Sequence, residues 1–149
     1  MTPASLSDAD RAREISRIAA AHAGREGALL PLLHDIQAAF GCVPAEAVAL
    51  VAEALNLSRA EVRGVVSFYH DFRDAPPARP VVKLCRAEAC QARGAAALVA
   101  QAEADPRIAS EAVYCLGLCA SGPAAIAGER IVARLDAAGL ARLIEEAVR

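Results

Sequence analysis

The sequence predicts an α+β fold: a small bundle of helices, then an α/β sandwich. Three observations carry the prediction. Apolar residues recur at helical spacing up to about residue 72, prolines crowd the stretch from Asp74 to Pro80, and short β-branched runs then alternate with helical patterns. With 149 residues and 15.4 kDa, the chain suits one domain or two small units, and it is long enough to fold without a staple.

The elements follow in order. Ser7 caps a first helix, with Asp10 three residues on as a short capping box. Ile15, Ile18, Ala19 and His22 share a face, and Gly24 stops the helix. A second helix runs from about Ala28 to Phe40 with Leu29, Leu33, Ile36 and Phe40 on one side; Pro31 sits in its tolerant first turn and Gly41 ends it. Pro44 opens a third helix that turns Val48, Val51 and Leu55 inward. Ser58 and Glu61 form the capping box of a fourth, which carries Val62, Val65, Val66 and Tyr69. Four short amphipathic helices with tight connections read as a bundle.

Pro76, Pro77 and Pro80 forbid helix and extend the chain, dividing it into residues 1–75 and 76–149. Beyond them Val81–Cys85 reads as a strand, Arg93 to about Ala104 as a helix, and Ala112–Cys115 as a second strand. Ala124–Ala127 and Arg130–Leu135 flank Gly128-Glu129 as a two-residue hairpin. Asp136 caps a last helix carrying Leu140, Leu143, Ile144 and Val148. The order βαβ then ββα describes a small sandwich of thioredoxin type.

Composition narrows the function. The formal net charge is −2, and neither half carries the basic surplus that binding a phosphate backbone needs. The longest uncharged run, Ala112 to Gly128, is broken by two glycines and a proline, so it is no spanning helix. Asp8, Asp10 and Glu14 argue against a transit peptide. A cytoplasmic protein is the expectation. Disulfides are rare in that compartment, so the 5 cysteines need another explanation.

Cys85 and Cys90 form C-R-A-E-A-C, and Cys115 and Cys119 form C-L-G-L-C. Each pair begins where a predicted strand ends. If those strands are parallel neighbours, the loops after them lie side by side and four thiolates can converge at one edge of the sheet. Soft sulfur ligands on protected loops suit an iron–sulfur cluster, and Gly117 would let backbone N–H groups approach it. Spacing alone leaves three readings open: an iron–sulfur site, a structural zinc site, which favours pairs two to four residues apart, or unrelated buried thiols. No C-x-x-C pair of a thiol oxidoreductase is present.

C-R-A-E-A-C-Q followed by Y-C-L-G-L-C-A-x-x-P resembles the thioredoxin-like [2Fe–2S] ferredoxin family. The resemblance extends upstream through L-L-P-L-L-H-D-I-Q-A-A-F-G-C-V-P, L-N-L-S-R-A-E-V and G-V-V-S-F-Y-H-D-F, covering roughly residues 26–145. This family supplies a small subunit to respiratory NADH dehydrogenases, bidirectional hydrogenases and NAD-linked molybdenum formate dehydrogenases. The details here look most like the formate dehydrogenase branch. The resemblance implies one [2Fe–2S] cluster on Cys85, Cys90, Cys115 and Cys119. It also implies a helical part that docks on a flavin- and iron–sulfur-containing NAD-binding subunit, and a molybdenum-containing catalytic subunit in the same complex. It further suggests a cis peptide before Pro123, where the residues alone fit an ordinary turn proline equally well. The stretch between Cys90 and Cys115 is about ten residues shorter than the resemblance leads one to expect, which puts the length and connection of the second strand in question.

The chain then has no catalytic residue of its own: no G-x-G-x-x-G, P-loop or nucleophile elbow occurs. A zinc-stapled binding module is the reading from a different class. Cys42 follows Gly41 with no cysteine nearby and reads as a small buried hydrophobe. His34 and His70 read as helix-surface or interface residues. Phe68, Tyr69 and Phe72 read as core at the linker or as an interface anchor. Lys83, Arg86 and Arg93 flank the first cysteine pair and would raise a cluster's reduction potential.

Overall fold

The computed structural model describes residues 7–149. They form two compact units, one ending at Pro76 and the next beginning at Pro77.

The first unit is helical: α1 (Asp8–Ala21), α2 (Leu29–Phe40), α3 (Ala47–Leu55) and α4 (Arg59–Phe68). Ser7 caps α1, its Oγ accepting the Asp10 N–H at 3.2 Å. Gly41 ends α2 with φ +75, and its N–H donates to the Gln37 carbonyl. At α4 both halves of the capping box form: Glu61 N–H donates to Ser58 Oγ at 3.1 Å, and Ser58 N–H to Glu61 Oε2 at 2.8 Å. Leu32, Leu33, Ile36, Val51 and Val62 make the centre of the core. Each such buried aliphatic contributes about 1.5–3 kcal/mol relative to exposure.

Two expectations for this unit shift. Pro44 lies in a turn ahead of α3 rather than in its first position, because Ala47 N–H closes on the Pro44 carbonyl and the helix starts only there. Tyr69 is 42% exposed instead of inward. Helical periodicity stops applying to it, because its backbone has left the helix (φ −87, ψ 106). Phe72 is buried instead, held as Gln37 bonds the Asp71 carbonyl and the Arg73 N–H. His22 is buried with Nε2 2.6 Å from Asp35 Oδ2. Arg25 can only donate to His22 Nδ1, so the ring carries its proton on Nε2 and donates it to Asp35.

The second unit runs β1 (Val81–Cys85), α5 (Glu88–Gln91), α6 (Ala95–Glu103), β2 (Ala109–Val113), β3 (Ala125–Ala127), β4 (Arg130–Val132) and α7 (Ala137–Ala147). The sheet order is β2-β1-β3-β4. β1 and β2 are parallel, from Val81 opposite Ala109 to Cys85 opposite Val113. β3 is antiparallel to β1, and the hairpin to β4 pairs Ala127 with Arg130 across the two-residue turn. Val82, Leu84, Leu98, Ile108, Leu140 and Ile144 form the core between sheet and helices. This is the thioredoxin-like α+β architecture.

The helix expected from Arg93 is α6, which starts only at Ala95 because Gly94 takes φ +90 ahead of it, and the short α5 before it was not expected from the sequence. β2 begins earlier and ends earlier than its sequence pattern indicated. Its residues are only half-buried, so it has little hydrophobic signature and is defined by its ladder to β1. β4 is also shorter, and Leu135 instead donates its N–H to the Pro123 carbonyl. Among the described residues no helix is long and apolar enough to cross a membrane.

Candidate metal centre

The parallel pairing of β1 and β2 sends both following loops out at the same end of the sheet. Arg86 N–H ties them together by donating to the Val113 carbonyl at 2.8 Å. Cys85 is the last residue of β1, and Cys90 lies in α5; both are buried. Cys115 stands two residues beyond β2, not at its end, and Cys119 begins a single 3₁₀ turn; both are exposed.

The four side chains meet as two pairs rather than around one point. Cys115 and Cys119 place their sulfurs 3.9 Å apart. The Cys85 and Cys90 thiols are neighbours close enough to shift each other's protonation. Among the described residues no three His, Cys, Asp or Glu side chains close on a single position. A two-iron cluster takes two protein ligands per iron, so a paired arrangement fits it. A closed zinc site draws four ligands to one centre.

The backbone around these sulfurs is arranged to donate. Burial pushes the Cys85 thiol up, but the N–H groups of Ala87, Cys115 and Leu116 and the Cys90 thiol outweigh it and hold Cys85 below the ordinary thiol value. Cys90 is raised, first by burial and then by Cys85 beside it, while the Ala124 N–H opposes the rise. Gly117, with φ +75, donates its N–H to Cys115 Sγ at 3.4 Å. Cys115 itself has φ +84, a left-handed conformation unusual for a residue with a side chain. Strained backbone of this kind is concentrated at functional sites. N–H groups aimed at sulfur stabilise an anionic, sulfur-rich group.

A third segment, which supplies no cysteine, lies against the first pair. The Gly122–Pro123 peptide is cis, and the Ala124 carbonyl accepts the Cys85 N–H at 2.9 Å. A Cβ on Gly122 would stand 3.0 Å from Cys90 Sγ. Sequence reading found the cysteines but missed Gly122 and Ala124, whose only signal was a Gly-Pro step after the last cysteine.

The remaining candidates are placed as follows. Cys42 is buried in the core of the first unit. His34 packs against Phe72 with ring centroids 4.9 Å apart and the ring planes tilted by 51°. Phe68 is 72% exposed. Arg86 pairs with Glu103 at 2.6 Å, which cancels much of the charge it would bring.

The sequence model of the family described as thioredoxin-like [2Fe-2S] ferredoxin matches residues 15–148. The NADP-reducing hydrogenase subunit HndA of Solidesulfovibrio fructosivorans is 28% identical over 90% of this chain and 85% of its own length. An NADH-quinone oxidoreductase subunit of Rhizobium meliloti (strain 1021) is 30% identical over 89% of this chain and 85% of its own. Among solved structures, an NAD+-reducing [NiFe]-hydrogenase in the air-oxidized state superposes with a TM-score of 0.65 at 32% identity. That match covers 79% of this chain but only 22% of the longer hydrogenase chain.

Proposed function

The chain belongs to the thioredoxin-like [2Fe–2S] ferredoxin family, and on that footing we propose that it is the electron-transfer subunit of a cytoplasmic NAD-linked formate dehydrogenase complex, with Cys85, Cys90, Cys115 and Cys119 as the ligands of its [2Fe–2S] cluster. The observation that carries the ligand assignment is the meeting of two thiol pairs where parallel β1 and β2 release their loops.

When bound, the cluster supplies a one-electron acceptor and donor. The buried Cys85 and Cys90 and the exposed Cys115 and Cys119 would hold it. The N–H groups of Ala87, Leu116, Gly117 and Ala124, directed at the cysteine sulfurs, would favour an added negative charge there. The segment from Gly122 to Ala124 keeps the Cys90 sulfur in place and water away from it.

Formate oxidation and NAD reduction belong to other chains: a molybdenum-containing catalytic subunit and a flavin- and iron–sulfur-containing NAD-binding subunit. Residues 1–75 form the docking region and residues 76–149 the cluster domain. The formate branch is supported by C-R-A-E-A-C-Q, F-Y-H-D-F and Y-C-L-G-L-C. The hydrogenase and NADH-quinone oxidoreductase relatives favour a second reading, the equivalent subunit of one of those complexes.

Anaerobic purification with iron and acid-labile sulfide assays, then EPR before and after dithionite, tests the cluster. About two irons and two sulfides per chain with a signal only after reduction is the expected result. Zinc without sulfide would overturn it in favour of a zinc-stapled module. Co-purification of a molybdenum subunit selects the formate complex; a nickel subunit or a quinone-reducing membrane module selects the second reading.

A further inference from the structure

The first unit carries a hollow of about 310 Å³ where Arg11 of α1, the turn from Cys42 to Glu46 and the segment from Asp74 to Pro76 meet. Two features build it. The Val43 N–H donates to the Arg73 carbonyl at 2.8 Å, which holds the chain after α4 beside that turn. Gly41 has no Cβ, so Pro76 can close over it; a Cβ there would stand 3.3 Å from the proline Cβ. Floor and walls are apolar, from Phe40, Cys42, Pro44 and Pro76.

The rim is charged and unbalanced. Glu46 is answered by Arg11, whose Nε donates to it at 2.9 Å, and Arg11 is also committed to Asp8. Asp74 is exposed and forms no ion pair among the described residues. The Cys42 thiol on the floor registers the excess: burial first, then Glu46 and Asp74, push it up, and Arg11 opposes them.

An apolar hollow with one uncompensated carboxylate at its mouth suits an amphipathic cation. Arginine fits better than lysine, because its guanidinium is planar and weakly hydrated, lies flat on apolar surfaces and meets a carboxylate with two N–H groups. One exposed ion pair strengthens binding about 5-fold at most. That is too little to retain a free small cation, but it serves as one anchor within a wider protein contact, where arginine is enriched among the residues that carry binding.

We propose that this hollow takes the side chain of an arginine on a partner polypeptide, with its stem against Pro44 and Pro76 and its guanidinium on the Asp74 carboxylate. The proposal rests on the reading of the chain as a subunit of a complex and not on its cluster.

Titration of the isotope-labelled chain with acetyl-Gly-Arg-Gly-amide, followed by amide NMR, tests the chemistry. The expected result is saturable shifts at Cys42, Glu46 and Asp74. Binding should weaken about 5-fold with the citrulline peptide, which keeps the shape and loses the charge, and about 5-fold in Asp74→Asn. Arg11→Gln releases Glu46 to the hollow and should tighten binding instead, a direction that loosened packing does not produce. Equal binding of the two peptides, or no shift at these residues, would overturn the proposal. Shifts there on concentrating the chain alone would assign the hollow to a second copy and overturn it too.

The purified complex tests the source of the arginine. Asp74→Asn should speed loss of this subunit on dilution about 10-fold, with iron per chain unchanged. A complex indifferent to Asp74 while the peptide still binds would give the hollow to a free guanidinium compound and defeat this proposal alone. A chain that binds no partner subunit defeats the subunit reading and this proposal together.

Discussion

Gly122 faces Cys90 so closely that a Cβ on the glycine would stand 3.0 Å from the cysteine sulfur. The backbone there is ordinary for any residue (φ −66, ψ 165), so the requirement is space rather than conformation. A branched side chain at this point must displace the Cys90 sulfur or the chain behind it. Gly122→Val should weaken cluster retention about 10- to 100-fold, the range found when a supporting residue is lost. Gly122→Ala should have a smaller effect. Iron released to a chelator over time measures both, and an altered EPR line shape in the retained cluster separates displacement of Cys90 from simple unfolding.

Cys42 and Cys90 are both buried thiols, but only Cys90 has another cysteine sulfur against it. Cys42 sits in an apolar core, where burial, with Glu46 and Asp74 nearby, raises its thiol above the ordinary value. Cys42→Ser should keep the visible colour, while Cys90→Ser loses it. Equal absorbance in the two variants would refute the ligand assignment.

Arg86 follows Cys85 in the chain and reaches Glu103 on α6 at 2.6 Å. With the carboxylate present, the guanidinium is largely neutralised. Glu103→Gln should therefore raise the reduction potential by releasing that positive charge, and Arg86→Glu should lower it. A redox titration followed by EPR measures both directions, and unchanged potentials would place this ion pair electrically remote from the cluster.

Ser58 and Glu61 satisfy each other's backbone N–H at the start of α4. Ser58→Ala should cost about 1 kcal/mol, read as a lower Tm with the cluster spectrum unchanged.

Asp105 is held at about 2, below its ordinary 3.8, first by the hydrogen bond from the Arg107 side chain and then by the Arg107 backbone N–H. Its folded value is depressed, so its contribution is complete above the unfolded value and is lost as pH falls from about 4 through about 2. Asp105→Asn should remove that part of the acid sensitivity and leave stability at pH 7 lower. Denaturation midpoints at both pH values measure it.

Much of this protein was legible in its sequence because local chemistry decides it. Ser7, Gly41, the Ser58–Glu61 box and Gly128-Glu129 fix helix ends and a turn through hydrogen bonds to residues within four positions. The cysteine spacing marked the four candidate ligands for the same reason: each pair is local. Tertiary structure decided what depends on distant partners. β2 has weak patterning of its own and exists because β1 lies beside it. Tyr69 turned outward and Phe72 inward because the chain after α4 is tied to Gln37, more than thirty residues away in sequence. The placing of the two cysteine loops side by side, and the fit of Gly122 over the Cys90 sulfur, likewise came from packing. A side chain's neighbours across a sheet are set by register, which no spacing along the chain records.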